Sequence, residues 1–322
     1  MPDTTDRLML LDTASLYFRA FFGVPDTMKA ADGTPTNAVR GLLDFIARLV
    51  DNHRPTHLVA CWDDNWRPSW RVALIPTYKA HRVEYVTKSG EQVEEVPDRL
   101  EQQVPLIRDC LDALGIAIVG AADHEADDVI GTLCHRAEMP VDVVTGDRDL
   151  FQLIDDARGV RVIYTAAKGV GRADVLDEAA LLAKYTIPAN RYADFATLRG
   201  DTSDGLPGVK GIGDKTAASL ISSYGDLDAI RAAAADPSTP MSSSVKRKIL
   251  DAADYLDVAP KVVAVATDAP VGELDAKMPD DVRHPEAWLD LVDRLDLGGS
   301  AQRVMMALKG ERLPAMYNGG GR

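Results

Sequence analysis

The chain has 322 residues, with 36 Lys+Arg against 50 Asp+Glu and a formal net charge of −14. That length accommodates two domains, or one α/β domain with an appendage, and a composition of 46% hydrophobic and 27% charged residues excludes a disordered acidic chain. Cys61, Cys110 and Cys134 lie far apart without a CxxC pair, which excludes a disulfide framework and a thiolate zinc site and fits a reducing cytoplasm. No apolar run approaches the roughly 18 residues a bilayer requires, and the first, Leu8 to Leu11, ends at Asp12 without signal-peptide architecture. A soluble, cytoplasmic, monomeric protein without membrane contact is expected.

Acidity alone speaks against a nucleic-acid partner, because neutralising phosphates needs Lys and Arg. The distribution changes that reading. Residues 1–160 carry 16 basic and 27 acidic side chains, 161–250 carry 12 and 10, and 251–322 carry 8 and 13, so the middle is basic relative to its flanks.

In chain order, short apolar runs alternate with helical patterns through the first half, the mark of an α/β fold built on a mostly parallel sheet. Leu8–Leu11 reads as a buried strand and Thr13 to Phe22 as the helix behind it. A second helix is expected from Thr36 to Val50, then strands at His57–Trp62 and Ile116–Val119, a helix from about Glu125, and strands at Val141–Val144 and Val160–Tyr164. Residues 82–97 are polar and aperiodic, which predicts a mobile or partly helical excursion. Past Asp174 short helices take over, over Glu178–Tyr185, Asn190–Arg199, Lys215–Ser223 and Ser242–Leu256, with a loop at 236–240 and a frayed tail at Gly319–Gly321. The expected division is a catalytic α/β domain over 1–175, a helical region over 176–260, and an extension over 261–322 packing on the catalytic domain.

Acids stand where those strands end. Asp12 follows the first strand and Asp63 the second, Glu125, Asp127 and Asp128 follow the third by one loop, and Asp147 and Asp149 follow the fourth. In a parallel sheet the strands' carboxyl ends share one edge, where ligands bind. Each acid taken singly also reads as a helix N-cap. Seven carboxylates crowded on one rim, however, repel and raise one another's pKa unless cations hold them, and oxygen-only donors point to Mg²⁺ or Mn²⁺. Because residues two apart on a regular helix point to opposite sides, Glu125 and Asp127 can share an ion only if residues 125–128 straddle a loop-to-helix junction. A second acidic group, Asp201 and Asp204, shares a face if its segment is helical, and leads into Gly208-Val209-Lys210-Gly211-Ile212-Gly213-Asp214-Lys215-Thr216. Asp214 between the last glycine and the lysine excludes a Walker A loop. A glycine hairpin between two helices, able to hold a phosphate on backbone N–H groups, fits better; a plain helical corner is the alternative.

These residues fall in the order of a known family. Leu10-Leu11-Asp12-Thr13-Ala14-Ser15 through Ala20, Trp62-Asp63 with Trp70-Arg71, Tyr78-Lys79-Ala80-His81-Arg82, Glu125-Ala126-Asp127-Asp128, Thr145-Gly146-Asp147-Arg148-Asp149 and Gly200-Asp201-Thr202-Ser203-Asp204 resemble the 5′ nucleases: the flap endonucleases and the N-terminal 5′-3′ exonuclease domain of bacterial DNA polymerase I. The match spans about residues 8–260. It implies a PIN-like domain with a helix-three-turn-helix element at about 199–223. It also implies two divalent cations, one on Asp12, Asp63, Glu125, Asp127 and Asp128, the other on Asp147, Asp149, Asp201 and Asp204. Gly205 departs from the asparagine usual there, which puts the local turn in question.

The implied activity is metal-dependent hydrolysis of DNA at 5′ flaps and free 5′ ends, as 5′-3′ exonuclease and flap endonuclease in replication and repair. Arg19, Lys79 and Arg82 could stabilise the pentavalent phosphate. DNA contacts are implied for Arg71, for Tyr78 (a stacking residue or a core aromatic) and for the hairpin at Gly208, Lys210, Gly211, Gly213, Lys215 and Thr216, where the family often binds a monovalent cation. Residues 82–97 fall where the family carries its arch or gateway, although Glu84, Glu91, Glu94 and Glu95 suit no grip on phosphates. The length leaves no room for a polymerase, so a standalone nuclease is expected. A Mg²⁺-dependent phosphohydrolase of small molecules would leave the hairpin idle, and an inactive junction-binding module would not need nine carboxylates.

Overall fold

The computed structural model describes residues 6–88, 90 and 92–314; Glu91 and Gly319–Gly321 lie outside them. Five parallel strands and one antiparallel strand form the main sheet, in the order β5-β2-β1-β6-β7-β8. They are β1 (Leu8–Asp12), β2 (His57–Cys61), β5 (Ala117–Val119), β6 (Val141–Thr145), β7 (Val160–Tyr164) and β8 (Asp174–Leu176). Strand β1 is sequence-first yet central, paired on one side with β2 and on the other with β6. The chain therefore winds outward in both directions from the β1/β6 seam, and ligands of open α/β sheets gather at such a switch point.

Side-chain alternation along β1 shows how the layers form. Leu8 and Leu10 point into one apolar layer with Val129, Ile130 and Leu133, while Met9 and Leu11 point into the other with Leu42, Leu43, Ile46 and Leu111. The first layer is covered by α6 (Ala126–Arg136). The second lies under α1 (Thr13–Gly23), α2 (Asn37–His53) and α5 (Val104–Leu114). All three cysteines are buried free thiols, and no described helix is long and apolar enough to cross a membrane.

Between β2 and α5 run α3 (Ser69–Leu74), a hairpin of β3 (Val83–Val86) and β4 (Gln92–Glu94), and α4 (Asp98–Glu101). The antiparallel hairpin corrects the expectation of a partly helical excursion at 82–97. Val83, Tyr85, Val86 and Val93 are strand formers without a helical stripe, and Arg67 anchors the hairpin by reaching both the Gln92 side chain and the Tyr78 carbonyl.

The helical part holds α7 (Glu178–Tyr185), α8 (Tyr192–Arg199), α9 (Asp214–Tyr224), α10 (Leu227–Ala235), α11 (Ser243–Asp251) and α12 (Ala253–Val263). The single helix expected over Ser242–Leu256 is two, broken at Ala252 (φ −99°, ψ 15°). Tertiary packing decides this, because α11 lies against α10 while α12 lies against α8 and α3. After α12 the chain returns to the α/β layers. Helices α13 (Pro285–Arg294) and α14 (Gly298–Leu308) pack on α5 and α2, where Arg303 forks onto Asp44 through Nε and Nη2, each at 2.9 Å.

Candidate active site

Two of the rim's acids, Asp12 and Glu125, cap the helices that follow them. Asp12 ends β1; its Oδ1 accepts from Ser15 N (3.1 Å) at the start of α1, and its Oδ2 accepts from the Thr145 hydroxyl (2.6 Å) at the end of β6. That hydroxyl oxygen in turn accepts from Asp147 N (2.8 Å), and Asp147 Oδ1 accepts from Asp149 N (2.9 Å). One threonine thus ties the first carboxylate to the loop carrying two more. Gly146 closes the bracket: its N–H donates to Ser15 Oγ at 3.0 Å, and a Cβ there would sit 2.7 Å from that oxygen. Thr145 and Ser15 stand within the quoted motifs but received no role from the sequence, where a threonine ending a strand gives no signal of its partner.

Glu125 is the N-cap of α6, extended at φ −88° and ψ 165°, and Ala126 is the first helical residue. Residues 125–128 therefore straddle a loop-to-helix junction, as a shared role for Glu125 and Asp127 requires. Asp63 Oδ1 accepts from Ala126 N (2.8 Å), fixing the second strand end against the same junction. Asp127 makes no hydrogen bond or ion pair among the described residues.

Asp128 differs. It is fully buried, and Arg71 grips both its oxygens at 2.7 and 2.6 Å, with Ala266 N (2.8 Å) and Glu125 N (3.2 Å) also donating to it. Burial would raise its pKa, but the Arg71 bonds outweigh burial and hold it below the ordinary value. Each of its oxygens accepts from two donors, which leaves no lone pair for a cation and corrects its placement among metal ligands: it positions Arg71 and the start of α6.

The same network corrects two DNA contacts. Arg71 is 2% exposed and Tyr78 4%. Arg71 also reaches Glu125 Oε2 (2.7 Å) and the Val262 carbonyl (3.0 Å), and the Tyr78 hydroxyl donates to Glu125 Oε2 (2.7 Å). Both are core groups that hold Glu125, so neither can touch DNA, and Tyr78 is the core aromatic of the two readings. Lys79 pairs with the other Glu125 oxygen; burial opposes its charge, but Glu125 outweighs that and keeps its pKa well above the ordinary value.

Asp201 and Asp204 do not lie on a helix. A tight turn brings them together, closed by Asp201 N to the Leu206 carbonyl (3.0 Å) and Leu206 N to the Asp201 carbonyl (2.8 Å). Gly205 answers the question its sequence departure raised. It is left-handed (φ +69°), and a Cβ would approach the Thr77 carbonyl oxygen to 2.2 Å. The Thr77 hydroxyl donates to the Gly205 carbonyl (3.0 Å) and Lys79 N to the Asp204 carbonyl (2.8 Å), so the stem of the β3/β4 hairpin docks on this turn. Arg82 donates to Asp204 Oδ1 (3.0 Å) and the Ser203 carbonyl (2.7 Å). Arg19 makes no ion pair among the described residues, and its buried Nε lacks an acceptor.

Electrostatics joins the two acidic groups. Burial lifts Asp12 to about 7, with Asp63 and Asp147 adding to it against the Thr145 and Ser15 bonds. Burial, then Asp12, Asp147 and Glu125, push Asp127 well above the ordinary range; burial, then Asp147, Asp204 and Asp201, do the same to Asp149. Asp63 and Asp204 rise chiefly by burial as well. Such sharing of negative charge in low dielectric is stable only with counter-cations. Among the described residues no three His, Cys, Asp or Glu side chains are placed to hold an ion between them. The donors nevertheless fit a hard cation: all are carboxylate oxygens, Asp149 Oδ1 is buried without a hydrogen-bond partner, and Asp127 is unengaged.

The glycine hairpin runs from β-turn to helix. Gly208 is buried at φ +64°, where a Cβ would meet the Arg199 carbonyl oxygen at 2.4 Å, so its role is close backbone packing and not DNA contact. Lys210, Gly211, Gly213 and Lys215 are exposed, and Thr216 is half-buried. Lys248 of α11, absent from the sequence-based set, donates to the Gly211 carbonyl (2.9 Å).

Comparison with known proteins decides the family. Residues 7–186 match the 5′-3′ exonuclease N-terminal resolvase-like domain, and residues 187–283 the 5′-3′ exonuclease C-terminal SAM fold. The chain belongs to the 5′-3′ exonuclease family. It is 60% identical to a 5′-3′ exonuclease of Streptomyces coelicolor over 93% of this chain and 99% of that one, and 48% identical to a 5′-3′ exonuclease of Mycobacterium tuberculosis over 94% and 97%. It is also 39% identical to DNA polymerase I of Mycobacterium bovis over 74% of this chain but 26% of that one. In fold, this exonuclease is similar to the T5 D15 protein co-crystallised with metal ions (TM-score 0.62, 16% identity, 94% and 99% covered). A second likeness is the catalytic core of Rad2 with DNA substrate (TM-score 0.57, 16% identity, 94% and 92% covered). As a member of the 5′-3′ exonuclease family the protein is a nuclease, and metal dependence is general to the family.

Proposed function

We propose that this exonuclease hydrolyses DNA phosphodiesters at free 5′ ends and 5′ flaps, using two divalent cations, Mg²⁺ or Mn²⁺. The observation carrying this is the shared rim, where Asp149 Oδ1 is buried without a partner and Asp127 is unengaged, while Asp128 is sealed by Arg71. One cation falls to Asp12, Asp63, Glu125 and Asp127, the other to Asp147, Asp149, Asp201 and Asp204. When bound, the two ions would supply Lewis-acid activation of a water and charge neutralisation at the leaving oxygen.

The protein's own groups do the rest. Thr145 fixes the Asp12 carboxylate and the Asp147 loop relative to each other. Arg71 and Tyr78 hold Glu125 from behind, and Lys79 and Arg82 bring cations to the rim from the hairpin stem for the phosphate in flight. Arg19 contributes an unpaired guanidinium from α1. The exposed Lys210, Gly211, Gly213, Lys215 and the α9 N-terminus with Thr216 grip the duplex backbone, fixing register without reading sequence, and a monovalent cation there would add to that grip. The β3/β4 hairpin serves as the gateway for a 5′ single strand. A single chain carries every one of these groups, which supports a monomer, and three buried thiols support the cytoplasm.

A 5′-labelled flap duplex incubated with Mg²⁺, Mn²⁺ or EDTA, alongside an Asp149→Asn variant, tests the reading. Cleavage near the flap base in either metal, abolished by EDTA and by the variant, is expected. An uncut flap, or equal cutting by the variant, overturns it.

A further inference from the structure

Arg148 stands between Asp147 and Asp149, yet its guanidinium takes neither. Its side chain is exposed and makes no hydrogen bond or ion pair among the described residues. Arg71, Arg82 and Arg199 around the same rim each form an ion pair, with Asp128 and Glu125, with Asp204, and with Asp201. An arginine that merely balanced charge would close on a carboxylate one residue away; instead Asp149 Oδ1 is left without any partner.

The location of Arg148 explains why it is held off. It caps the short turn Asp149–Leu153, which packs on α8 where the sheet meets the helical part. Asp214, the first residue of α9 beyond the glycine hairpin, lies within its electrostatic reach, as do Tyr192, Tyr164 and Tyr185. Arg148 therefore occupies the seam between the carboxylate rim and the hairpin, which a duplex spanning the two must cross. A guanidinium fork matches phosphate oxygens, and a chain of net charge −14 has few cations to spare along that path.

We propose that Arg148 binds one phosphate of the duplex, between the cleaved bond and the glycine hairpin. This rests on the reading of the hairpin as a grip on the duplex backbone. The contact sets how far from the hairpin the cut falls, and it is indifferent to base sequence.

A charge-neutral phosphate scan tests it. Wild type, Arg148→Gln and Arg148→Lys are titrated with a flap duplex in Ca²⁺, its intact length checked on a gel. The duplex carries a methylphosphonate at each position in turn between the junction and the hairpin footprint. One phosphate is expected to matter to wild type and not to Arg148→Gln, with Arg148→Lys intermediate, and the slope of log K against log salt should fall by about 0.9 in Arg148→Gln. Mn²⁺ affinity without DNA should stay unchanged. If no phosphate couples to Arg148, or if the variant alters Mn²⁺ affinity with the salt slope intact, the proposal is overturned. If Lys210→Gln and Lys215→Gln leave wild-type duplex affinity unaltered, the hairpin reading fails on its own account, whatever Arg148 does.

Discussion

Replacing Arg71 by leucine is the sharpest test of how the rim is held. Arg71 and Asp128 expose 3% and 0% of their side chains, joined by bonds of 2.7 and 2.6 Å, and a further 2.7 Å bond reaches Glu125. Leucine keeps apolar bulk and removes every donor, stranding Asp128 as an unpaired buried charge and orphaning the Val262 carbonyl. Breaking a buried pair from one side costs about 3–5 kcal/mol. At about 2–4 °C per kcal/mol for a domain of this size, a Tm fall near 10 °C is expected in thermal unfolding followed by circular dichroism. A paired Arg71→Leu/Asp128→Leu variant removes the stranded charge and should recover a large part of the loss, since removing both partners is milder than removing one. A fall of less than about 1 kcal/mol for Arg71→Leu, or a double variant as unstable as the sum of the singles, would refute the argument that this fork holds the junction.

Thr145→Val removes one hydroxyl at constant shape, leaving Asp12 Oδ2 and Asp147 N without their shared partner. Mn²⁺ affinity measured by calorimetry should fall about 10- to 100-fold and return in Thr145→Ser; an unchanged affinity would show that the bracket is idle. Gly205→Asn restores the family's usual residue but drives a Cβ into the Thr77 carbonyl, so a loss of about 1–3 kcal/mol is expected in urea titration, and a neutral result would mean the two turns separate freely. Asp123 accepts from Ser69 N (2.7 Å) and Asn65 Nδ2 (2.9 Å), and although burial raises its pKa, the Ser69 bonds win and hold it below the ordinary carboxylate value. Its contribution is therefore present above that ordinary value and fades as pH falls through the lowered one. Asp123→Ala should cost about 1 kcal/mol at pH 7 and less at pH 3; an equal loss at both would refute the linkage.

The strand ends were legible because β1, β2, β5 and β6 announce themselves as apolar runs, each followed closely by an acid. The constraint on Glu125 and Asp127 was legible too, from helix geometry alone. Asp128 and Arg71 were not: they stand 57 positions apart, and a carboxylate within an acidic run looks the same whether a cation or a guanidinium takes it. Helix α5 shows a different blindness. Ile107, Cys110, Leu111 and Leu114 carry its stripe, but Pro105 reads as a breaker unless it is recognised at the first turn. The 83–94 hairpin lay where the family resemblance implied an arch, and its strand-forming valines were the overlooked signal.

The contact between Gly205 and Thr77 bears on how gateways can be exchanged among relatives. With no room for even a methyl group between them, the hairpin stem and the turn bearing Asp201 and Asp204 behave as one inherited piece, although more than 120 positions separate them. Grafting a different gateway onto this scaffold, or this one onto another, will succeed only when residues 200–206 travel with it.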